Sequence, residues 1–181
     1  MILSDSELVE MLREPRTRRE GFAVLVKQYS EKLYWKVRRI VLSHEDANDV
    51  LQNVFIKVWN NLQNFQGKSS LSTWLYRIAI NESLDFLRKQ KLADKVSADE
   101  DVSVASRLMS DEYFDGDEVQ ARLQEAVVRL PEVQRTVFNL KYFEEMKYSE
   151  ISQILNTSEG ALKASYHLAV KKITEYLHLF D

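Results

Sequence analysis

The sequence contains no cysteine and only four glycines and two prolines among its 181 residues. The lack of cysteine excludes disulfide bonds and thiolate metal sites, and it is compatible with a reducing compartment. Few glycines and prolines leave few sites for tight turns, which favours long helices over a sheet with many turns. No apolar run approaches the length of a membrane-spanning helix, and the N-terminal stretch MILSDSELVEML has acids where a secretory signal has basic residues. We therefore expect a helical, cytoplasmic protein without membrane insertion.

The formal net charge of −3 is small, but the charges are unevenly distributed. Residues 1–92 hold 15 Lys and Arg against 11 Asp and Glu, whereas residues 93–116 hold 2 against 7. Because a protein that binds DNA alone usually carries a strongly basic face, this balance indicates that any DNA affinity depends on a partner. A Gly-rich phosphate loop, a nucleophile elbow and a His-Glu metal helix are all missing from the sequence. The sequence therefore argues against an enzyme and predicts no cofactor and no metal.

The stretch Asp46–Lys91 has the spacing of a helix, a short polar loop and a second helix. A long amphipathic helix from Thr17 to about Val41 precedes it, and the outer side of that helix carries seven basic residues. After Lys91 the spacing decays into an acidic, serine-rich segment, which predicts a linker with a helical piece near Val104–Met109. We predict an all-α protein with two small helical domains and an acidic linker, over residues 1–92, 117–181 and 93–116 respectively.

The first helix of the pair has one apolar side and one polar side. The apolar side consists of Ala47, Val50, Leu51, Val54, Val58 and Leu62. The opposite side carries Asp49, Gln52, Asn53, Lys57 and Asn60, edged by Phe55, Ile56 and Trp59. Two interpretations stay open for this side: a solvated face, or an acid-and-amide ridge that docks on a helix of a partner.

The loop and second helix of the pair combine aromatic, amide and basic side chains in a pattern suited to nucleic acid. Arginine meets phosphates, asparagine can pair with a base edge, and aromatic faces stack on unpaired bases. Trp74 also fits the inner apolar stripe, so a purely structural role stays open for it. The candidate residues are Phe65, Lys68, Trp74, Arg77, Asn81 and Arg88.

Near the C-terminus, the predicted helices Tyr148–Leu155 and Ser158–Leu177 are separated by two residues, which is the spacing of a helix-turn-helix. The second helix presents basic side chains at four-residue spacing, so it could enter a major groove. A free-standing repressor or activator would use this module alone and leave the polar ridge and aromatic loop without a role. The candidate DNA contacts are Lys141, Lys163, Ser165, His167 and Lys171, of which His167 could equally be an exposed residue without a contact.

Two blocks of the sequence resemble one known family. The runs DANDVLQNVFIKVW and SSLSTWLYRIAINESLDFLRKQK resemble region two of bacterial RNA polymerase sigma factors of the extracytoplasmic-function (ECF) type. The run LPEVQRTVFNLKYFEEMKYSEISQILNTSEGALKASYHLAVKKI is similar to region four of the same family. The resemblance implies a subunit that binds core RNA polymerase and directs it to promoter DNA. It also implies an anti-sigma protein as a candidate inhibitory partner.

The resemblance assigns a role to each group of candidate residues. It implies that Asp49, Gln52, Asn53, Phe55 and Ile56 dock on the clamp helices of the largest polymerase subunit. It implies that Phe65, Trp74 and Asn81 surround an extruded base, with Lys68, Arg77 and Arg88 near phosphates. The chain departs from the family at Asn53, where a carboxylate is common, and in the recognition helix, which keeps only Lys163 of the usual basic set. The promoter sequence therefore cannot be inferred from the resemblance.

Overall fold

The computed structural model describes residues 3–93 and 118–180, and every regular element within those residues is a helix. The expected all-α class is therefore confirmed. The chain divides into two compact units, Met1–Lys95 and Val96–Asp181. Apart from Ala93, the predicted linker over residues 93–116 lies outside the described residues, as does the helical piece expected at Val104–Met109.

Four helices form the first unit, and serine hydroxyls cap three of them. Ser4, Ser43 and Ser70 each accept a hydrogen bond from a backbone N–H in the following turn, at 3.4, 3.3 and 3.1 Å. These bonds satisfy donors that have no partner within the helix. The helices are α1 (Asp5–Arg13), α2 (Arg18–Val41), α3 (His44–Asn61) and α4 (Leu71–Ala93), with a 3₁₀ turn at Leu62–Asn64.

The helix α2 is central to the first unit, because α1, α3 and α4 all pack against it. The apolar faces expected from the sequence are the buried faces, and each large side chain removed from water contributes about 1.5–3 kcal/mol. Fully buried side chains include Leu8 of α1, Leu25, Leu33 and Val37 of α2, Val50 and Val54 of α3, and Leu71 and Leu75 of α4.

One of the seven basic residues expected on the outer side of α2 is buried instead. Arg38 is only 4% exposed, and its guanidinium donates to the carbonyl of Leu42. Leu42 ends α2 in the left-handed conformation, with φ 68°. Arg38 therefore closes the end of the helix, satisfying a carbonyl that the helix itself leaves without a donor.

Residues 118–180 of the second unit form four further helices around a core of their own. Pro131 occupies the N-cap position of its second helix, and proline suits this end because it has no N–H to satisfy. The helices are α5 (Glu118–Val128), α6 (Glu132–Phe138), α7 (Tyr148–Leu155) and α8 (Glu159–Leu177), with a π-helical segment at Asn139–Phe143 and a 3₁₀ turn at His178–Phe180. Buried side chains include Val127, Val137, Phe138, Leu140, Ile151, Leu162, Ala169 and Ile173.

The joint between α7 and α8 confirms the expected helix-turn-helix. Asn156 ends α7 in the left-handed conformation, with φ 50°, and this reverses the chain within one residue. Ser158 then caps α8 by accepting from the Ala161 N–H at 3.3 Å. Both α6 and α7 pack against α8. Within residues 3–93 and 118–180, no helix combines the length and apolarity needed to cross a bilayer.

Candidate polymerase and nucleic-acid interfaces

The outer side of α3 presents a ridge of exposed side chains, called the α3 ridge below: Asp49, Gln52, Asn53 and Ile56. Ile56 is 52% exposed, so the ridge combines one apolar side chain with three polar ones. The opposite side of α3 lies in the core, so the backbone that carries the ridge is held in place. The arrangement can bind the surface of another helix without reorganising its own backbone.

Phe55 differs from the other residues that were expected to dock on a partner. Its ring packs edge-on against Phe22 of α2, with 6.4 Å between the ring centroids, and it is only partly exposed. Trp59 contacts the same Phe22 ring at 5.0 Å. Phe55 and Trp59 therefore fix the outer side of α3 to α2, while Ile56 remains available for contact.

A small cleft lies between the aromatic loop and the start of α4, and it is called the Phe65 cleft below. The rings of Phe65 and Trp74 lie 5.1 Å apart, tilted by 50°. The cleft has a volume of about 10 Å³, which is room for about one water molecule. Its other lining residues are Val9, Leu12, Arg13, Leu62 and Leu71. Trp74 is therefore neither fully core nor fully exposed: one side packs on the core and another faces the cleft.

Sequence reasoning missed the contribution of α1 to this cleft. Arg13 was not a candidate, because it lies more than fifty positions before the loop and belongs to a helix with no other polar site residue. No local pattern connects α1 to the loop, so only the packing of the helices brings the two together.

The polar candidates on α4 are Arg77, Asn81 and Arg88. At 3.6 residues per turn, they and Trp74 point to the same side of the helix. Asn81 is exposed and Arg77 is half-buried. Arg88 is exposed and forms an ion pair with Asp85 at 2.8 Å, so its charge is partly neutralised in this structure. Lys68 is exposed in the loop beside Gly67, which has φ 70°.

An ion pair ties α3 to α4 next to this face. Lys57, which belongs to the polar side of α3 in the sequence, pairs with Glu82 of α4. The Glu82 side chain is 10% exposed and the Lys57 side chain 51%. Since Glu82 follows Asn81 directly, the pair holds the turn of α4 that presents the asparagine.

On the opposite side of α4, Tyr76 packs against a basic residue of α2. The ammonium of Lys36 lies 4.1 Å from the centroid of the Tyr76 ring, within the range of a cation–π interaction. Burial, together with the neighbouring charges of Arg39 and Lys32, lowers the pKa of Lys36 to about 8. Burial also raises the pKa of Tyr76.

In the second unit, Lys163, His167 and Lys171 are exposed along α8 as expected. Lys171 lies 3.9 Å from Glu175, an exposed pair of the kind that contributes little to stability. Ser165 is half-buried rather than fully presented. The early turns of α8 therefore carry Lys163 and His167 as the accessible polar candidates.

The structure brings together Lys141 and Lys163, which lie on different elements. Their ammonium groups lie 5.1 and 5.6 Å from the centroid of one ring, that of Tyr148 at the start of α7. Lys141 also donates to the carbonyl of Met146 at 3.1 Å. Sequence reasoning missed Tyr148, although an aromatic residue at the first position of a helix-turn-helix is a usable signal. Lys141 and Lys163 therefore share one aromatic neighbour, and lysine ammonium groups are donors that DNA phosphates accept.

Behind this site, aromatic rings continue into the core of the second unit. Tyr166 of α8 packs edge-on against Tyr148 at 6.5 Å and stacks on Phe138 at 5.8 Å. Burial, and the neighbouring Tyr148 and Tyr142, raise the pKa of Tyr166. The rings therefore fix the position of Tyr148 relative to α8 and, through it, the positions of the two lysines.

Comparison with known proteins assigns both units to one family. The Sigma-70 region 2 model matches residues 25–93, and the Sigma-70, region 4 model matches residues 120–173. The ECF RNA polymerase sigma factor SigW of Bacillus subtilis (strain 168) is 33% identical over 157 residues, which cover 82% of this chain and 84% of SigW. The chain belongs to the ECF RNA polymerase sigma factors. This sigma factor therefore binds core RNA polymerase and directs promoter-specific transcription initiation.

Other relatives extend the match over nearly the whole chain. The RNA polymerase sigma-H factor of Pseudomonas aeruginosa is 31% identical over 182 residues, covering 96% of this chain and 93% of the relative. Two solved structures share the fold of this sigma factor at 21% identity. One is the sigma factor RpoE in complex with the anti-sigma factor NepR from Bartonella quintana, with a TM-score of 0.67 over 88% of this chain and 98% of that chain. The other is CnrH in complex with the cytosolic domain of CnrY, with a TM-score of 0.66 over 98% of this chain and 96% of that chain.

Proposed function

We propose that the α3 ridge is the surface with which this sigma factor docks on a helical part of core RNA polymerase. Support comes from the exposure of Asp49, Gln52, Asn53 and Ile56 on one side of a helix whose other side is in the core. A surface held rigid before binding loses less conformational entropy on association. Phe55 supports the α3 ridge indirectly, because its ring packs against Phe22 of α2.

The Phe65 cleft is the proposed site for a base extruded from the downstream promoter element. The observation that carries this proposal is the contact of Phe65 with Trp74 at 5.1 Å, on the side of α4 that also presents Asn81. Extruding a base costs a few kcal/mol of stacking, which aromatic contacts and polymerase binding must offset. The cleft has room for only about one water molecule, so the loop must move outward to admit a base. Arg77, Lys68 and Arg88 are the proposed partners of the adjoining phosphates.

The second unit is proposed to read the upstream promoter element through its helix-turn-helix. Lys141 and Lys163, held on Tyr148, meet the DNA backbone, and His167, Ser165 and Lys171 follow along α8. Phosphate contacts of this kind fix the register of the helix on the duplex, and base contacts provide the specificity. We thus assign polymerase docking and promoter opening to residues 1–92 and reading of the upstream element to residues 117–181. Residues 93–116 connect the two.

We further propose that this sigma factor has no catalytic chemistry of its own and acts by binding alone, in the cytoplasm where polymerase and promoter meet. An anti-sigma protein is a proposed partner, since RpoE, which shares its fold, is solved in complex with one. The exposed Ile56 on the α3 ridge is a surface that such a protein could cover in competition with polymerase.

Run-off transcription with purified core polymerase and a genomic fragment library tests the proposed function. We expect transcripts only when this sigma factor and core polymerase are both present, and the enriched fragments define the promoter. A specific band shift by the protein alone, with no effect of core polymerase, would instead indicate a free-standing repressor or activator. Failure to associate with any bacterial core polymerase would contradict the docking proposal.

A further inference from the structure

The Phe65 cleft has one charged lining residue, Arg13, and it comes from α1 rather than from the loop or α4. All other lining residues are apolar or aromatic, so they suit the face of a base but not its phosphate. Arg13 is exposed, so its guanidinium is accessible to solvent at the edge of the cleft. Among the residues that the structure describes, Arg13 forms no ion pair with a carboxylate.

The guanidinium of Arg13 is placed against the loop that follows Phe65. Its Nη2 atom lies 3.7 Å from the position that a Cβ atom would occupy at Gly67. Gly67 has φ 70°, a conformation that other residues adopt only at a cost, so the loop has a defined shape at this contact. Lys68 follows directly and is exposed. Arg13 therefore lies against the loop that also carries Lys68.

The end of α1 that carries Arg13 is fixed by hydrogen bonds from the start of α2. The Arg18 side chain donates from Nε to the carbonyl of Leu12 at 2.9 Å, and from Nη2 to the carbonyl of Arg13 at 3.3 Å. The Thr17 hydroxyl donates to the carbonyl of Met11 at 3.0 Å. These bonds satisfy the last carbonyls of α1, which a helix cannot satisfy internally. The backbone of Arg13 is thus held in place before any ligand binds.

We propose that Arg13 binds the phosphate next to the extruded base, so that α1 forms a further side of the DNA site; this rests on the base-binding function proposed for the Phe65 cleft. Guanidinium presents parallel N–H donors that match phosphate oxygens, and it keeps its charge at any physiological pH. The aromatic rings hold the face of the base, while Arg13 holds the backbone that leads to it. A phosphate contact positions the nucleotide and does not read its sequence.

The test compares Arg13→Ala, Arg13→Lys and Arg16→Ala in holoenzymes assembled with core polymerase. Arg16 is a matched control, because it is an exposed arginine three residues further along and its loss changes the net charge equally. The probe is a fluorescent forked promoter DNA whose downstream element is single-stranded, with each of the four bases at the extruded position. Dissociation constants are measured over a range of salt concentrations, and circular dichroism checks that each variant is folded.

We expect Arg13→Ala to bind the fork about tenfold more weakly, because it removes a charge-assisted hydrogen bond. The loss should be the same for all four bases, and the slope of log K against log salt should fall in magnitude by about 0.7, the value for one phosphate on a single strand. Arg13→Lys should restore part of the affinity, and Arg16→Ala should match the wild type.

Two outcomes would overturn the inference. One is equal behaviour of Arg13→Ala and Arg16→Ala, and the other is a loss that depends on the identity of the base, which would make Arg13 a base-reading residue. A failure of the proposed function itself appears differently: the wild-type holoenzyme would then bind the fork no more tightly than fully paired DNA. The two failures are therefore distinguishable in the same set of titrations.

Discussion

Lys57 on α3 forms an ion pair with Glu82 on α4, and only 10% of the Glu82 side chain is exposed. The pair joins the helix that carries the α3 ridge to the helix that presents Asn81 and Trp74. The contact between the helix of the proposed docking surface and the helix of the proposed DNA site is therefore electrostatic as well as apolar.

Lys57→Met should destabilise the first unit by about 1–2 kcal/mol, because it leaves the Glu82 carboxylate buried without its cation. The estimate is lower than for a fully buried pair, since solvent screens the half-exposed Lys57. The double variant Lys57→Met, Glu82→Gln should recover much of the loss, because no unpaired charge remains. The unfolding free energies of the single and double variants are measured in urea with tryptophan fluorescence as the signal. All three tryptophans lie in the first unit, so the signal reports on that unit. A single variant with the wild-type midpoint would contradict this prediction.

Ile56→Ala and Phe55→Ala should separate docking from folding. Ile56 is 52% exposed, so its removal should leave the unfolding free energy within about 0.5 kcal/mol of the wild type. The affinity of the Ile56→Ala variant for core polymerase should nevertheless fall about tenfold, because an apolar anchor at the interface is lost. Phe55→Ala should instead lose about 2 kcal/mol of stability, because the ring packs on Phe22. Binding to core polymerase by surface plasmon resonance, beside urea unfolding, decides between these roles, and unchanged affinity of Ile56→Ala would remove it from the docking surface.

Asn81→Ala should impair promoter opening while polymerase association stays intact. Asn81 is exposed, so the substitution removes polar contacts to DNA without opening a cavity in the core. Loss of a bidentate contact to a base corresponds to about 1–3 kcal/mol. Permanganate footprinting measures opening, and a pull-down with core polymerase measures association. Equal loss of polymerase association would reassign Asn81 to folding.

The stability of the first unit should rise with pH between about pH 7.5 and pH 9.5. Burial and the charges of Arg39 and Lys32 lower the folded-state pKa of Lys36 to about 8, so the unfolded chain binds more protons over this range. Stability increases with pH wherever the unfolded state binds more protons. Above about pH 10 the raised pKa values of Tyr29 and Tyr76 act in the opposite direction, because their unfolded forms ionise first.

Urea midpoints of the wild type and Lys36→Met, taken over that pH range, check this linkage. The variant has no ammonium to bury, so its midpoint should change much less with pH. A wild-type midpoint that stays level up to about pH 10 would show that the cation–π contact with Tyr76 offsets the cost of burying the ammonium.

The amino-acid sequence alone determined the helices, their buried faces, several caps and the helix-turn-helix. These features follow from local rules: apolar spacing selects the face of a helix, as at Val50 and Val54, and a serine before a helix caps it, as at Ser43. The polar residues on the outer sides of α3 and α4 were equally readable, because a side that is not buried is left to solvent or to a partner.

Only the tertiary structure decided which distant residues meet. It places Arg13 at the Phe65 cleft, Lys141 and Lys163 on one tyrosine, and Phe55 against Phe22 while its neighbour Ile56 stays exposed. Helical periodicity fixes the direction of a side chain around its own axis, but it contains no information about the crossing and register of other helices. The crossing and register of the helices depend on how the side chains of the whole unit pack together. The sites combine residues of several helices, so their composition depends on that packing.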